Sequence, residues 1–419
     1  MFRLMDIKEK LHQLDSLSHQ KTMTSGRRVT SPTSNIEQVV TGKAVENEYG
    51  SFYLIENELP AEYHHGDIRI SDLLQQSAIH LPVIGKNSDF DQVDLSKLLF
   101  IDTETTGLSG GAGTCAFLVG LGFFEKRQFR VLQYFMNDFH EEAAMLYEIN
   151  QFVPEFECLV SYNGKSFDLP LLISRNVFQS MKPSFAKMRH FDLLHSVRRL
   201  WKHRLTECSL LNAEHQIAHF SRTTEDIPGF LIPQTYFHYL RHKDVVPLKP
   251  IFYHNQQDIV AMAALLCKAL ATVSNPHETC EHAFDILALG KLLENANQYD
   301  ESIQLYEAYM QANQTSHFNS RFLFKIAFNY KKMGSFRESA KIWQECIQNG
   351  RFHPVPYIEL AKYLEHKKKD SAKAKNLVSK ALAEMSVLQQ LNLKPEWIDY
   401  KKDLQHRFAR LDRKAHPKT

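Results

Sequence analysis

The 419-residue sequence lacks the features that define several large classes of protein. Its six cysteines form no Cys-x-x-Cys pair and no close cluster with histidine, which argues against a zinc site or a disulfide framework. No run reaches the roughly 18 consecutive apolar residues of a membrane helix, and the N-terminus has no continuous apolar segment typical of a secretory signal. We therefore expect a cytoplasmic protein with reduced, mostly buried cysteines and no membrane partner.

The sequence also has little net charge, +2, which is too small to indicate nucleic-acid binding by itself. The charge is uneven, because residues 351–419 contain 16 Lys and Arg against 8 Asp and Glu. Either this basic segment contacts phosphates, or it is the solvated surface of a helix. A glycine-rich stretch at 107–114 lacks the spacing of a triphosphate-binding loop, and we interpret it as a flexible loop beside an active site.

Apolar patterns divide the chain into five segments. Residues 1–35 are predicted to be a mobile N-terminal lead, and 36–94 an accessory segment with short β-like pieces. Between 95 and 273, three consecutive strand patterns lead into alternating helices and strands, which indicates an α/β domain with a mixed sheet flanked by helices. Residues 277–390 have a wholly helical pattern, and 391–419 are predicted to be a basic C-terminal tail.

The helical segment contains a repeat. Aligning its helices places Gly290, Ala327 and Ala361 in register at spacings of 37 and 34 residues, and Tyr299 in register with Phe336. Small residues at helix crossings, followed about nine positions later by an aromatic residue, resemble the tetratricopeptide repeat, whose unit has 34 residues. We predict an all-α domain of tetratricopeptide-like helix pairs, with an ordinary helical bundle as the alternative.

Two acids close the first apolar strand pattern of the α/β domain. Asp102 and Glu104 end the stretch LLFIDTET, and on a strand both carboxylates face the same side, so they can share a metal cluster. The turn that begins at Thr105 exposes the carboxyl end of the strand, where ligands commonly bind in open α/β sheets, so Thr105 is a candidate substrate-binding residue. Taken alone the pair is weak evidence, because strands also end in acids for solubility.

A third acid, Asp168, follows the strand pattern LVSYN and begins a helix pattern. Capping of that helix is one possible role. A functional role is favoured because Tyr162 and Asn163 end the strand where a substrate would lie, and Phe167 is placed to stack on a base or sugar.

A fourth acid, Asp258, lies in the first turns of the apolar helix pattern FYHNQQDIVAMAALLCKAL. His254 precedes it by one turn on the same face, which is a suitable place for a base that takes a proton from water. A capping acid beside a surface histidine is the alternative.

In order and setting, these four acids resemble those of the DEDD exonucleases, which have a ribonuclease H-like fold. The stretches YNGKSFDLPLL and HFDLLHSVRRLWKHRLTECSLL look like the proofreading domains of family B DNA polymerases. The chain is closer still to the YprB-type family of predicted ribonuclease H-like exonucleases, in which such a domain is joined to tetratricopeptide-like helices. This resemblance covers nearly the whole chain.

The resemblance implies a nuclease that hydrolyses DNA or RNA from a 3′ end with two Mg²⁺ or Mn²⁺ ions. It also implies that Asp102 bridges both ions, that Glu104 and Asp258 complete the site of the attacking water, and that Asp168 mainly serves the other ion. Oxygen donors of this kind suit both metals.

The proton acceptor departs from the family pattern. The histidine subtype places its base five residues before the last acid, and the tyrosine subtype four residues before it, whereas here Tyr253 is at minus five and His254 at minus four. Because minus four aligns better with Asp258 on a helix, we expect His254 to be the base, with Tyr253 as the alternative.

Other functions stay open beside the exonuclease. One is a catalytically weak or inactive nuclease-like scaffold that binds nucleic acid or protein, and another is internal cleavage of the substrate. In each case the helical repeats are expected to dock a protein partner or the substrate. DNA and RNA are both possible substrates, because no motif specifies recognition of a 2′-hydroxyl.

Overall fold

A seven-stranded sheet carries the candidate residues. The computed structural model describes residues 35–107, 113–314, 318–391 and 393–415, so the lead predicted at 1–35 lies, except for its last residue, outside the described residues. The strands are β1 (Gly42–Asn47), β2 (Gly50–Leu59), β3 (His64–His65), β4 (Ile68–Arg69), β5 (Leu98–Thr105), β6 (Ala116–Glu125), β7 (Gln128–Phe135), β8 (Cys158–Ser161) and β9 (Arg189–Asp192). The sheet order is β1-β2-β7-β6-β5-β8-β9, and β3 pairs with β4 as a separate hairpin.

Strand β5 has neighbours of both orientations. It is antiparallel to β6 and parallel to β8, which in turn is parallel to β9. The carboxyl ends of β5, β8 and β9 therefore meet at one edge of the sheet, which confirms the predicted mixed sheet. The segment predicted as accessory supplies β1 and β2 to this same sheet, because β2 pairs with β7.

Helices cover both faces of the sheet and then continue as an all-helical region. They are α1 (Leu81–Gly85), α2 (Glu142–Phe152), α3 (Asp168–Phe178), α4 (Leu193–Trp201), α5 (Leu210–Ile217), α6 (Ile232–His242), α7 (Lys249–Ser274), α8 (Pro276–Thr279), α9 (Ala283–Asn295), α10 (Tyr299–Ala312), α11 (Asn319–Lys332), α12 (Phe336–Asn349), α13 (Pro354–His366), α14 (Ser371–Gln390) and α15 (Ile398–Ala415). The predicted order of strands and helices between 95 and 273 is the order observed.

Successive residues of β5 face two separate hydrophobic cores. Leu98 and Phe100 pack with α4 and α7 on one face, whereas Leu99 and Ile101 pack with α2 and α6 on the other. Side chains alternate between the faces of a strand, so the same pattern places the side chains two and four residues after Phe100 on the α7 face. Those two residues are the candidate acids of β5.

Helix α7 is the main helix of this core. Its approach to the sheet depends on two glycines of β6, because a Cβ on Gly120 would lie 2.2 Å from Oδ1 of Asn255, and one on Gly122 would lie 2.3 Å from Cγ2 of Ile259. The stretch Val246–Ser274 is long and apolar enough for a membrane helix, yet 72% of its most apolar 18 residues is buried inside the protein. Burial of this kind is typical of a core helix.

The all-helical region has small residues where its helices cross. A Cβ on Gly290 would lie 2.2 Å from the hydroxyl oxygen of Tyr306, and both Ala327 and Ala361 are fully buried. The tail predicted at 391–419 is a packed helix over its described part, because α15 buries Leu404 and Leu411 against α14 and its neighbours. The described part of the predicted tail therefore belongs to the folded all-helical region.

Candidate metal and active site

Asp102 is held in place by a side chain from α7. The amide nitrogen Nδ2 of fully buried Asn255 donates to Oδ2 of Asp102 over 2.9 Å, and Oδ1 of Asn255 accepts from Nε2 of Gln133 over 2.9 Å. The same Nε2 also donates to the carbonyl of Phe252. Because Oδ1 of Asn255 is occupied by Gln133, only its NH₂ group can face the carboxylate. Glu104 follows on the same face of β5, two residues closer to the edge.

Asp168 begins α3 directly after a tight turn that follows β8. Within the turn Asn163 has a left-handed φ of +67°, and the carboxylate of Asp192 accepts from the backbone N–H groups of Asn163 (2.8 Å) and Lys165 (3.3 Å). Oδ1 of Asp168 accepts from the hydroxyl of Thr103 on β5 over 2.5 Å. The N-cap position of α3 belongs to the preceding residue, so Asp168 is bound to the sheet and does not cap the helix.

Asp258 and His254 lie one turn apart on α7 and both face the site. Nε2 of His254 lies 3.6 Å from Oδ2 of Asp258, and Nδ1 lies 2.7 Å from Oδ1 of Asp226. A carboxylate at this distance holds a proton on Nδ1, which leaves Nε2 as the proton-accepting nitrogen toward the acids. The contact with Asp226 therefore orients the imidazole so that Nε2 faces Asp258.

Tyr253, the alternative base, points elsewhere. Its hydroxyl oxygen accepts a hydrogen bond from the backbone N–H of Thr223 over 3.3 Å, and the residue lines a pocket together with Asp226 and Pro228. Which of the two residues is the base stays a prediction.

A buried arginine, Arg222, lies among these groups. Its side chain is 4% exposed and contacts three carboxylates, with Nε 2.7 Å from Glu214, Nη2 2.5 Å from Asp258 and Nη1 3.5 Å from Asp226. Burial alone would lower the pKa of Arg222, but the adjacent charges of Asp258 and Glu214 raise it above its usual value. The site therefore contains a permanent positive charge.

The acids strongly affect one another. Burial raises the pKa of Asp102 well above its usual value, and the charges of Asp258 and Asp168 add to the effect. Burial also raises the pKa of Glu104, which is repelled by the same neighbours, and the pKa of Asp168. Arg222 opposes the rise at Asp102 and Glu104. Burial thus raises the pKa values of Asp102, Glu104 and Asp168, and these three carboxyl groups favour protonation unless a cation neutralises them.

The donor set fits a hard divalent cation by its chemistry. All four acids offer oxygen atoms, which Mg²⁺ and Mn²⁺ prefer, and no cysteine contacts any of these four acids within the described part of the chain. No three His, Cys, Asp or Glu side chains of the described residues are already grouped closely enough to hold an ion. Asp102, Asp168 and Asp258 each accept a hydrogen bond from another side chain of the protein.

The four residues predicted to bind substrate differ in their surroundings. Phe167 is 59% exposed beside Asp168, and Thr105 lies just beyond the acid pair, with its hydroxyl bonded to a backbone carbonyl two residues on. Asn163 is half-buried in the turn. The hydroxyl of Tyr162 donates to the backbone carbonyl of Cys208 over 2.7 Å, so this side chain supports the fold and is less available to a substrate.

A cleft of about 540 Å³ lies beside the carboxyl end of β5. Gly107 contributes to one wall, and α6 with the residue Phe230 before it forms the other. Phe230 is 61% exposed, and Arg241 is exposed with no ion-pair partner among the residues that the structure describes. None of the described residues that line the cleft is acidic.

Three residues of this site were not identified in the sequence. Arg222 and Asp226 lie in an irregular stretch between α5 and α6 that matches no motif, so their sequence context offered no signal. For Asn255 the sequence did contain a signal. It directly follows His254 on the apolar helix, where a polar side chain buried against the sheet is unusual.

Comparisons with known proteins identify the family of the chain. The sequence pattern of the RNase_H superfamily matches residues 99–270, which include all four acids and His254. The chain is also similar to a protein of Bacillus subtilis (strain 168) described as uncharacterized protein YprB. The two are 31% identical over 379 residues, which cover 88% of this chain and 87% of that protein.

Proposed function

The chain belongs to the family of the YprB protein and carries a ribonuclease H superfamily domain, and from this premise we propose that it is a metal-dependent 3′→5′ exonuclease. The proposal is supported chiefly by one observation. The charges of Asp168 and Asp258, which come from two other segments, act on both Asp102 and Glu104 of β5, and Asp258 lies one helix turn from a histidine that contacts Asp226.

In the proposed hydrolysis, His254 and Asp226 activate the attacking water. Nε2 of His254 accepts the proton of a water molecule, and Asp226 holds the imidazole so that this nitrogen stays available. The water oxygen forms a bond to phosphorus while the bond from phosphorus to the 3′-oxygen breaks. That leaving oxygen takes a proton from solvent, so the products are a 5′-mononucleotide and a chain shortened by one residue.

Asp102, Glu104, Asp168 and Asp258 are the residues that would hold Mg²⁺ or Mn²⁺. A divalent ion bound there makes water more acidic and neutralises charge that builds up on the phosphate. The raised pKa values of Asp102 and Glu104 support this role, because a cation would relieve the repulsion that causes part of the rise.

The substrate strand is proposed to cross the carboxyl edge of the sheet between Phe167 and the cleft beside β5. Exposed Phe167 and Phe230 offer faces on which bases can stack, and Arg241 offers a cation for a phosphate. A single strand suits this surface better than a duplex, because stacking on an aromatic ring requires an unpaired base.

The helical repeats are proposed to dock a protein partner or a distant part of the nucleic acid. Lys368 and Lys369 are exposed and have no ion-pair partner in the described ranges, which supports contact with phosphates. If so, reversing both charges to Glu should weaken binding of a long oligonucleotide while binding of a short one stays unchanged. Equal effects on both lengths would argue against docking of nucleic acid by the repeats.

A cleavage assay tests the function directly. Single- and double-stranded DNA and RNA, labelled at the 3′ or the 5′ end, are incubated with the protein in Mg²⁺, in Mn²⁺ or in chelator. We expect metal-dependent shortening from the 3′ end, loss of activity in Asp102→Ala, and normal activity in Asp91→Asn. Asp91 is an exposed acid that precedes the amino end of β5 and so serves as a matched control.

The alternative function is a nuclease-like scaffold without catalysis, and it is favoured by the absence of a ready-made metal cluster among the described residues. No metal-dependent cleavage of any substrate, or equal cleavage by Asp102→Ala, would support the scaffold and overturn the nuclease. Fragments cut within the chain would instead indicate an endonuclease.

A further inference from the structure

The Nε atom of Arg222 is held by contacts with residues outside the candidate site. Glu214, whose side chain is fully buried, binds Nε of Arg222 with one carboxylate oxygen and lies 2.7 Å from Nε2 of fully buried His65 with the other. His65 belongs to β3 and stacks on Phe220 at a ring distance of 3.9 Å. These contacts fix the Nε side of the guanidinium, so the arginine cannot move freely toward or away from the acids.

The other side of the guanidinium contacts two groups with different roles. Nη2 binds Asp258, one of the four acids, and Nη1 lies 3.5 Å from Asp226, the carboxylate that orients His254. A guanidinium is planar, and its donors have fixed directions, so it sets the distance between the groups that it binds. Arg222 therefore relates the acid of α7 to the orientation of the base.

The positive charge of Arg222 also acts on the metal site. Its contact with Asp258 occupies a carboxylate that a divalent ion would need, and its charge is felt at Asp102 and Glu104. A cation in this position repels a divalent ion and competes with it for an oxygen ligand. At 4% exposure, the side chain is too buried for direct contact with a substrate phosphate.

We propose that Arg222 is a positioning residue that fixes the side chains of Asp258, Asp226 and His254 in the geometry that catalysis requires. Its buried positive charge at the same time weakens the binding of a divalent metal ion. The inference rests on the proposed nuclease function. It makes an unusual prediction, because removal of the cation should strengthen metal binding and weaken catalysis at the same time. If Arg222 had only a structural role, such as neutralising buried Glu214, its removal would weaken both metal binding and catalysis.

The test compares Arg222→Gln and Arg222→Lys with the wild type in the full-length protein. Calorimetric titration with Mn²⁺ measures metal affinity without substrate, and steady-state cleavage of a single-stranded oligonucleotide measures kcat and KM. For Arg222→Gln we expect Mn²⁺ to bind about 3- to 10-fold more tightly. In the same variant kcat should fall about 10- to 100-fold, with KM changed by less than about 2-fold.

Arg222→Lys separates charge from geometry. A lysine retains the cation but lacks the planar fork, so Mn²⁺ affinity should stay near the wild-type value while kcat falls by at least about 10-fold. Arg175→Gln is the matched control, because Arg175 forms a comparable buried ion pair with Glu142 on the other face of the sheet. It should lower thermal stability and change neither Mn²⁺ affinity nor kcat.

Three results would overturn the inference: weaker Mn²⁺ binding in Arg222→Gln, unchanged Mn²⁺ binding in that variant, or a kcat of Arg222→Lys equal to the wild type. If Arg222→Gln does not fold, the lysine variant decides alone by its kcat and its Mn²⁺ affinity. A wild-type protein that binds Mn²⁺ but cleaves nothing would refute the proposed function instead, and the Mn²⁺ titrations would still decide the competition between Arg222 and the metal.

Discussion

Asn255 of α7 and Asp102 of β5 are joined by a hydrogen bond of 2.9 Å, although 153 residues separate them in the sequence. This bond connects the strand that carries the first two acids with the helix that carries Asp258 and His254. It forms because Gly120 on β6 leaves room for Asn255 against the sheet. The geometry of the candidate site thus depends on the docking of α7, as well as on the acids themselves.

Replacing Asn255 by alanine should reduce catalysis more than substrate binding. The variant removes the donor that fixes Oδ2 of Asp102, and loss of such a supporting hydrogen bond typically lowers activity about 10- to 100-fold. We expect kcat to fall in this range with little change in KM, measured on a single-stranded oligonucleotide. Gln256→Ala, at the next position of the same helix, is the control and should be near wild type. A normal kcat in Asn255→Ala would show that Asp102 needs no such support.

Charge reversal in the cleft should weaken binding of single strands. Arg241→Glu introduces an acid into a cleft whose described lining has none, and Phe230→Ala removes an exposed ring. Loss of one base-stacking contact corresponds to about 1–3 kcal/mol, and loss of one phosphate contact should reduce the salt dependence of binding by about one unit of slope. Fluorescence anisotropy with the Asp102→Ala variant as background measures both effects without cleavage.

Arg127→Glu is the control for the cleft. Arg127 is exposed in the turn between β6 and β7, at the opposite edge of the sheet from the carboxyl end of β5. The same reversal there should leave binding nearly unchanged. Equal losses in both arginine variants would indicate a general charge effect and would remove the support for this path of the strand.

A buried histidine should make the protein sensitive to acid. Burial lowers the pKa of His190 from 6.5 to about 4, and its Nε2 lies 2.7 Å from the hydroxyl of Ser161. Below pH 6.5 the unfolded chain binds a proton at His190 more readily than the folded protein does. The free energy of unfolding is therefore highest above pH 6.5 and decreases as the pH falls toward 4. The shift corresponds to about 3 kcal/mol in the free energy of unfolding.

The variant His190→Gln should remove this part of the acid sensitivity. Denaturant unfolding at several pH values between 4 and 7 gives the free energy of unfolding as a function of pH. This free energy should depend less steeply on pH in the variant than in the wild type. His277→Gln changes an exposed histidine and should leave the slope as it is. If His190→Gln loses stability with falling pH as steeply as the wild type does, another group is responsible.

Neutralising Asp102 should stabilise the metal-free protein. The folded protein raises the pKa of Asp102 well above its usual value, mainly through burial, so ionisation at neutral pH opposes folding. This contribution favours the folded state at low pH and is lost as the pH rises through the raised pKa. Asp102→Asn, which can still accept the bond from Asn255, should therefore increase the free energy of unfolding in chelator at pH 8 by on the order of 1 kcal/mol.

The pH dependence and the metal dependence of this variant provide the checks. The gain in stability should shrink as the pH falls, because a growing fraction of the wild-type carboxyl group is then protonated. Mn²⁺ should raise the melting temperature of the wild type more than that of the variant. A variant that is less stable than the wild type at pH 8 in chelator would contradict the account of repelling, desolvated acids.

The sequence predicted those parts of the fold that local patterns determine. The alternation in LLFIDTET identified β5 and placed Asp102 and Glu104 on one face, and the apolar run around Asp258 identified α7. The pairing of β2 with β7 was not predicted, because strand partners distant in sequence leave no local pattern. For the same reason the chain end predicted as a tail is a helix whose packing depends on α13 and α14.

The candidate acids could be proposed from the sequence because each lies next to a regular element, whereas contacts between distant segments could not be predicted. Arg222 lies 36 residues from Asp258 and is anchored through Glu214 to His65, which belongs to a segment predicted as accessory. Only the folded chain brings these groups together. The contact of Asp226 with His254 is of the same kind, and the choice of His254 over Tyr253 as the base stays a prediction.

The most direct test of the central claim is the identity of the first product released from a 3′-labelled single strand. Mass spectrometry of reactions with the wild-type protein in Mg²⁺ or Mn²⁺ should detect 5′-mononucleotides from the earliest time points, and none in chelator or with Asp102→Ala. Absence of mononucleotides under every metal condition, or their release by Asp102→Ala at the wild-type rate, would contradict the assignment of these four acids to a metal-dependent 3′→5′ exonuclease.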